Sequence, residues 1–354
     1  MIGYLLMITT ILLVPDLIIW NLYVSHAPLF WQVMAFLPTF FVAIALVIAL
    51  TRVIGVGRGM LLFFCSFLLL AIPKMVFALV AWPLGWPCGL VAALLTAATV
   101  AFGFIKGWRT LVVKEVCYHS PDLPEAFDGY RILQISDLHI GTFSTHPDFV
   151  TEVVQTACQL HPDLIVFTGD LVNVLPQEAE PFLPTLSKLK AKDGVYSILG
   201  NHDYEKLSLL MQYERNLGWK ILKNEHSLIS RGDDTIAIIG VEHVGKPPFG
   251  SRGRLMDAVK GLPDGMFKVL LSHDPNHWRM EVLDKTDIQL TLSGHTHAGQ
   301  IKIGPISPAQ GVYKEWHGAY TDHGRMLYVS AGIAGRLPFR LFAWPEINVI
   351  KLMN

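Results

Sequence analysis

This chain of 354 residues is short of charge: Asp, Glu, Lys and Arg make up 16% of it and 52% is hydrophobic. An ordinary soluble domain carries about a quarter charged residues. The 28 basic and 29 acidic residues nearly cancel, which excludes a protein that grips nucleic acid through a strong basic field. Cysteine is scarce as well. Cys65, Cys88, Cys117 and Cys158 show no C-x-x-C spacing, so neither a disulfide framework nor a zinc–thiolate site is expected, in agreement with a reducing cytoplasm. Internal repeats and low-complexity segments are absent too.

The shortage is concentrated in one half. Residues 1–108 hold one acid, Asp16, and four bases, Arg52, Arg58, Lys74 and Lys106. The rest keeps 24 of the 28 bases and 28 of the 29 acids, net −4, with 13 of the 14 histidines. The chain thus reads as two domains, 1–108 and 109–354, made for two solvents.

Four apolar runs, 2–24, 30–50, 60–82 and 84–105, fill the first domain. Each approaches the roughly 20 residues that carry a helix across a bilayer, so an all-α region of four transmembrane helices is expected. The first run lacks a basic segment before Ile2 and a small-x-small end, which argues against a cleaved signal peptide. Arg52 and Arg58 stand between the second and third runs, and Lys106, Arg109 and Lys114 follow the fourth. The positive-inside rule places these segments, and with them the C-terminal domain, on the cytoplasmic side. Asp16 and Lys74 sit at similar depth inside apolar runs, either as a pair or each snorkelling toward the interface.

Beyond the fourth run, 110–119 reads as a first strand and 120–129 as a Pro/Gly-punctuated linker. Apolar runs then recur at 131–136, 163–168, 195–199, 236–241, 267–272, 288–293 and 326–330, with a helical spacing over 148–160 between the first two. Strands apolar on both faces imply sheets covered on both sides. Five of these runs end in polar residues: Asp137-Leu138-His139, Gly169-Asp170, Gly200-Asn201-His202-Asp203, Ser272-His273-Asp274 and Gly294-His295-Thr296-His297. Strand C-termini are where α/β sheets bind ligands. Oxygen and imidazole donors without thiolates suit Mn, Fe, Zn or Ni. An Asp-x-His or His-x-His pair on an extended segment would turn both side chains to one side. So many donors exceed what one ion takes, so two ions are expected, with a carboxylate such as Asp170 between them. His243 and His277 lie in no such motif and read as structural.

Residues 110–354 resemble the calcineurin-like metallophosphoesterases, whose blocks D-x-H, G-D-x-x, G-N-H-[DE], a later H and G-H-x-H occur here in order. LPEAFDGYRILQISDLHIG, SGHTHAGQI and GRLPFR…PEI are similar to the bacterial membrane-associated subgroup, with Ala298 where many relatives have Gly. The resemblance implies a four-layer α/β/β/α sandwich with two mixed sheets. It implies one metal on Asp137, His139, Asp170 and His297, and a second on Asp170, Asn201, His273 and His295, with Mn first in line. His202 would stay unligated as the catalytic group at the phosphoryl oxygen, oriented by Asp203, while a metal-bridging hydroxide attacks phosphorus. Some membrane-associated relatives hydrolyse a UDP-diacylglucosamine intermediate. A phosphodiester or pyrophosphate of a lipid-linked substrate in a bacterial inner membrane is therefore the expected target, with a soluble phosphoester or a non-catalytic scaffold as alternatives.

Two further segments offer contacts. In 335–345 (GRLPFRLFAWP), Arg336 and Arg340 could bind a phosphate and the aromatics could touch lipid, or the segment is a strand and turn over a sheet edge. In 245–254, Lys246, Arg252 and Arg254 stand on a Gly/Pro frame that reads foremost as a solvated loop.

Overall fold

The computed structural model describes residues 2–53, 56–245 and 250–354. It divides into two compact units, Met1–Ile105 and Lys106–Asn354. Lys246 lies outside the described residues.

In the first unit, helix α1 (Ile2–Ile19) continues into a π turn, Trp20–Val24, and α2 covers Leu29–Thr51. Helix α3 (Val56–Ser66), a π turn (Phe67–Ala71) and α4 (Ile72–Leu84) form one long rod, followed by α5 (Trp86–Ile105). Pro73 lacks an N–H and crowds the carbonyl one turn earlier; the widened turn just before it relieves that crowding. Among the described residues four segments are long and apolar enough to cross a membrane: Leu6–Val24, Leu29–Thr51, Gly57–Leu84 and Trp86–Arg109. Leu29, Val47 and Leu95 stay exposed along them, a liability in water but not in hydrocarbon. Asp16 and Lys74 form an ion pair, and Lys74 Nζ also donates to Ala35 O at 2.7 Å and Thr39 Oγ1 at 3.0 Å. Both side chains are buried, so they pair rather than snorkel.

The second unit is built on two six-stranded sheets. The strands are β1 (Val112–His119), β2 (Arg131–Ile135), β3 (Leu164–Phe167), β4 (Val195–Ser197), β5 (Lys220–Ile221) and β6 (Glu225–Arg231). They continue with β7 (Asp234–Gly240), β8 (Lys268–Leu271), β9 (Leu290–Ser293), β10 (Gly318–Asp322), β11 (Arg325–Val329) and β12 (Glu346–Met353). One sheet runs β1-β12-β2-β3-β4-β5 and the other β10-β11-β9-β8-β7-β6. Both are mixed: β2, β3 and β4 pair parallel, as do β8 and β9, whereas β12 runs antiparallel to β2 and β10 to β11.

Side-chain alternation explains the apolar runs. In β2, Ile132 points between the sheets, while Leu133 and Ile135 face outward onto a layer that includes helix α6 (Pro147–Gln159). In β7, Ile236 and Ile238 point inward, and Ala237 and Ile239 pack outward with Trp278 and Val282. Each sheet is therefore buried on both faces, in the expected four-layer α/β/β/α order.

Candidate metal centre

Five strand ends converge. β2, β3 and β4 are neighbours in one sheet, β8 and β9 in the other, and Asp137, Asp170, Asn201, His273 and His295 follow them within a few residues. The two sheets are stitched at this end by Gln134 Nε2, which donates to Ser293 O at 2.9 Å, and by the His295 N–H, which donates to Asp137 Oδ2 at 3.0 Å. Asp137, His139, Asp170 and His273 are fully buried.

The donors fall into overlapping groups whose ligand atoms all lie within 4.8 Å of one another: Asp137, His139 and His297; Asp170, His273 and His295; and His139, Asp170 and His202. Asp170 stands between the first two groups, its Oδ2 3.5 Å from His139 Nε2 and 3.2 Å from His273 Nε2. Both ring nitrogens of His139, Nδ1 of His297 and Oδ1 of Asn201 are buried without a hydrogen bond. Buried polar atoms are normally satisfied. Unpaired donors of this hard and borderline type around two carboxylates therefore fit divalent cations. The charge balance agrees. Burial lowers the pKa of His273, but Asp170 and Asp137 overcome it and lift it to about 10. A proton there supplies positive charge that a cation would supply in its place. His273 Nδ1 donates to Thr168 O at 2.7 Å, which turns Nε2 toward Asp170, the usual outer support of a ligating histidine.

The backbone differs from the extended segments expected. Asp137, His139, Asp170, His295 and His297 all have φ between 40° and 70°, a left-handed conformation that costs a non-glycine residue about 1–3 kcal/mol. The donors are thus aimed by tight left-handed turns rather than by strand alternation. Ala298, with φ 48°, shares this turn, which explains why glycine suits the position. Here its methyl packs against Ala331 and Ala343. Gly294 is required by close approach, since a Cβ there would overlap Ser136 Oγ and Asp137 Oδ2.

His202 sits at the more exposed side, 5.0 Å ring to ring from His139. Its Nδ1 lies 2.8 Å from Asn173 O; a carbonyl only accepts, so Nδ1 carries the proton. This contact corrects the role expected for Asp203. Asp203 instead accepts from the backbone N–H groups of Asp170 and Gly200, both at 2.8 Å, and of Leu171 at 3.0 Å. Burial and the Asp170 carboxylate raise its pKa to about 7. Asp203 organises the loops; the Asn173 carbonyl orients His202.

Arg340 is a second correction. It is buried, and its guanidinium donates to Ala343 O at 2.8 Å, Ala331 O at 2.7 Å and Ala334 O at 2.6 Å. Those bonds make it a strut beneath the metal loops and leave it no reach toward a phosphate. Arg336 is exposed. The 335–345 segment forms no strand; it is tied to the loop after His297 by an Ile301–Leu341 bridge and by Gln300, whose Nε2 donates to Leu337 O and Phe339 O. Arg252 lies over the Tyr204 ring, 4.4 Å from its centroid, and Arg254 pairs with Asp257 at 3.2 Å on the surface. His277 is a satisfied core residue, 2.8 Å from Ser272 Oγ.

Three neighbours of the site were given no role from the sequence, two of them, His243 and Glu178, outside the strand-end motifs and the third, Asp274, inside one. His243 is buried with its ring 5.8 Å from His273 and 5.6 Å from His295. Asp274 Oδ2 lies 3.7 Å from His295 Nε2. Glu178 accepts from the N–H groups of Asn173, Val174 and Leu175 at 2.6–3.1 Å, so it holds the loop whose carbonyl orients His202.

The pattern that defines the calcineurin-like phosphoesterases matches residues 130–299. A Bacillus subtilis (strain 168) protein named uncharacterized metallophosphoesterase YkuE is 34% identical over 287 residues, covering 75% of this chain and 96% of its own length. The chain belongs to the calcineurin-like phosphoesterase family. A Danio rerio relative named transmembrane protein with metallophosphoesterase domain is 30% identical, over 74% of this chain and 62% of its own. A Helicobacter pylori (strain J99 / ATCC 700824) metallophosphoesterase is 29% identical, over 71% and 66%. The chain therefore spans about two thirds of the length of these last two. It is a phosphoester hydrolase of a dimetal-dependent family, and among the described residues four apolar helices long enough to span a membrane precede the catalytic unit.

Proposed function

We propose that the protein is a membrane-integrated hydrolase of a phosphodiester or pyrophosphate in a lipid-linked substrate. Asp137, His139, Asp170 and His297 would hold one divalent cation and Asp170, Asn201, His273 and His295 the other. The observation that carries this reading is the pair of buried donor groups meeting at Asp170, with His202 beside them. When bound, such a pair of cations supplies an activated water and neutralises charge on the phosphoryl oxygens. The protein's own part follows from its geometry. The proton on Nδ1 is committed to Asn173 O, so Nε2 of His202 is the nitrogen that can take up a second proton and pass it to a leaving oxygen. Arg336, itself exposed on a largely buried segment, is available for a further phosphate oxygen.

Four spans exceed what a tether needs, which supports a substrate that resides in the bilayer; a UDP-diacylglucosamine-type molecule is the first candidate. Arg52, Arg58, Lys106, Arg109 and Lys114 support a cytoplasmic catalytic unit in a bacterial inner membrane. Manganese is the first metal to try. The test is turnover by the purified protein with Mn²⁺ on a lipid pyrophosphate, a nucleotide and p-nitrophenyl phosphoesters. Preference for the lipid supports the proposal, and preference for the soluble esters replaces it with an anchored phosphodiesterase. Absence of metal-dependent turnover on every substrate ends the catalytic reading in favour of a scaffold.

A further inference from the structure

The catalytic unit carries an apolar apron beside the metal loop that neither its core nor its chemistry requires. The loop His297–Gln300 runs into a short hairpin in which Ile303 and Ile306 bridge across a turn, and Ile301 bridges to Leu341. Ile303 is 60% exposed, Ile306 66% and Phe342 51%. Phe342 and Ile303 line one recess of about 370 Å³ with Gly304 and Lys302, so apolar side chains and a cation share the face. Phe342 is also strained. Its φ is 57°, a backbone that bulky residues rarely adopt, and the strain displays a large aromatic ring to the outside rather than burying it.

What covers this face is indicated by the chain itself. The last membrane-length segment is Trp86–Arg109, and Gly107 lies two residues after its apolar helix ends at Ile105. Gly107 packs on the Phe342 loop: a Cβ there would overlap Arg340 O and lie 3.1 Å from the Trp344 ring. The loop is therefore held beside the residues that directly follow the last apolar helix in the chain, and Trp344 meets Phe342 edge-on, centroids 5.4 Å apart. Aromatic and aliphatic side chains beside a lysine are the composition that settles at the headgroup–acyl boundary.

We infer that Ile303, Ile306 and Phe342 form a bilayer-docking surface that lays the rim of the metal centre against the lipid headgroups. It needs the membrane but not a lipid-linked substrate, so it stands apart from the substrate assignment. Coupling to the site runs through Gln300, whose Nε2 donates to Leu337 O at 2.9 Å and Phe339 O at 2.8 Å.

The test uses the full chain in nanodiscs of phosphatidylcholine and phosphatidylglycerol, with its four cysteines replaced and a fluorophore placed at I306C or, as control, at D233C. Doxyl groups at shallow positions of the lipid chains should quench the I306C label several-fold more than the D233C label, and aqueous iodide should do the reverse. Equal quenching at the two positions overturns the inference. Protection from iodide without quenching by lipid overturns it also, because it means a protein partner or a second copy covers the apron. A variant carrying I306E and F342S should lose several-fold in turnover of a vesicle-embedded phosphoester relative to a soluble one. An enzyme inactive on both would count against the proposed function, while the quenching result would still decide the docking.

Discussion

Replacing Asp203 by alanine removes the acceptor for several backbone N–H groups at once. Asp203 Oδ2 takes Asp170 N and Gly200 N at 2.8 Å, and Oδ1 takes Leu171 N at 3.0 Å and Val172 N at 3.5 Å. The residue is 1% exposed. Three of these contacts have ordinary hydrogen-bond lengths and the fourth is marginal. A buried donor left unsatisfied costs about 1–3 kcal/mol. Water entering the vacated space can serve one or two donors, which brings the total to about 3–5 kcal/mol. At about 2–4 °C per kcal/mol for a domain of this size, the apparent Tm of the catalytic unit should fall by roughly 6–20 °C. Near-UV circular dichroism in detergent at fixed Mn²⁺ reads that fall.

The loops carrying Asp170 and Asn201 should loosen together. Metal content by elemental analysis should therefore drop in Asp203→Ala, and excess Mn²⁺ should restore part of the activity. Asp203→Asn keeps the shape but sets an amide nitrogen against backbone donors, so it should lose less stability. The reasoning is refuted if Asp203→Ala melts with the wild type and keeps its metal while kcat collapses and the alkaline limb of the pH–rate profile disappears. That pattern belongs to a residue that orients His202, the role its place in the motif suggests.

His202→Ala should lower turnover by roughly 10²–10⁴-fold, the general-acid range, with metal content unchanged; loss of metal would show that His202 is a ligand. Asp170→Asn should empty both cation positions, and two ions per chain by elemental analysis would contradict the shared carboxylate. Asp16→Lys or Lys74→Asp alone should unfold the helical unit at lower temperature, because each leaves two like charges where a buried pair stood. The double exchange should recover most of the loss, and no recovery would show that the pair is incidental. Burial pushes the Glu214 carboxyl up to about 8 against 4.5 when unfolded. With the folded value raised, its contribution is complete below the unfolded pKa and is lost as pH rises through the folded one. Glu214→Gln keeps the acceptor for Ser197 Oγ. It should melt like the wild type near pH 4 and above it near pH 9, and a gap that narrows with rising pH would refute the assignment.

The strands that carry the site were legible because burial on both faces leaves an unbroken apolar run, as in Leu164–Phe167. The edges were less so. β12 pairs with β1 on one side and β2 on the other, a placement decided by partners more than 200 positions away. The β5 and β10 strands are respectively too short and too exposed to show a run. The donor residues were legible by type, their backbone was not. The left-handed turns at Asp137 and His139 are held by Asp137 N to Gly169 O at 2.9 Å, His139 N to Asp170 O at 3.1 Å and Ala334 N to Asp137 O at 2.8 Å. Each of these bonds reaches across to another strand end, so no local spacing announces them.

The same distance dependence explains why Asp203 and Arg340 were read as chemical groups. A carboxylate inside G-N-H-D and an arginine inside a basic aromatic segment look functional from their neighbours in the chain. Their partners are backbone N–H groups at residues 170–172 and carbonyls at 331, 334 and 343. Strained ligand turns cannot persist without such over-determination. A motif of this kind therefore encodes two things at once: the atoms that face the reaction, and the charged side chains that tie the loops bearing them. Asp203→Ala separates the two, because it leaves every proposed metal donor in the sequence and removes only what holds two of them in place.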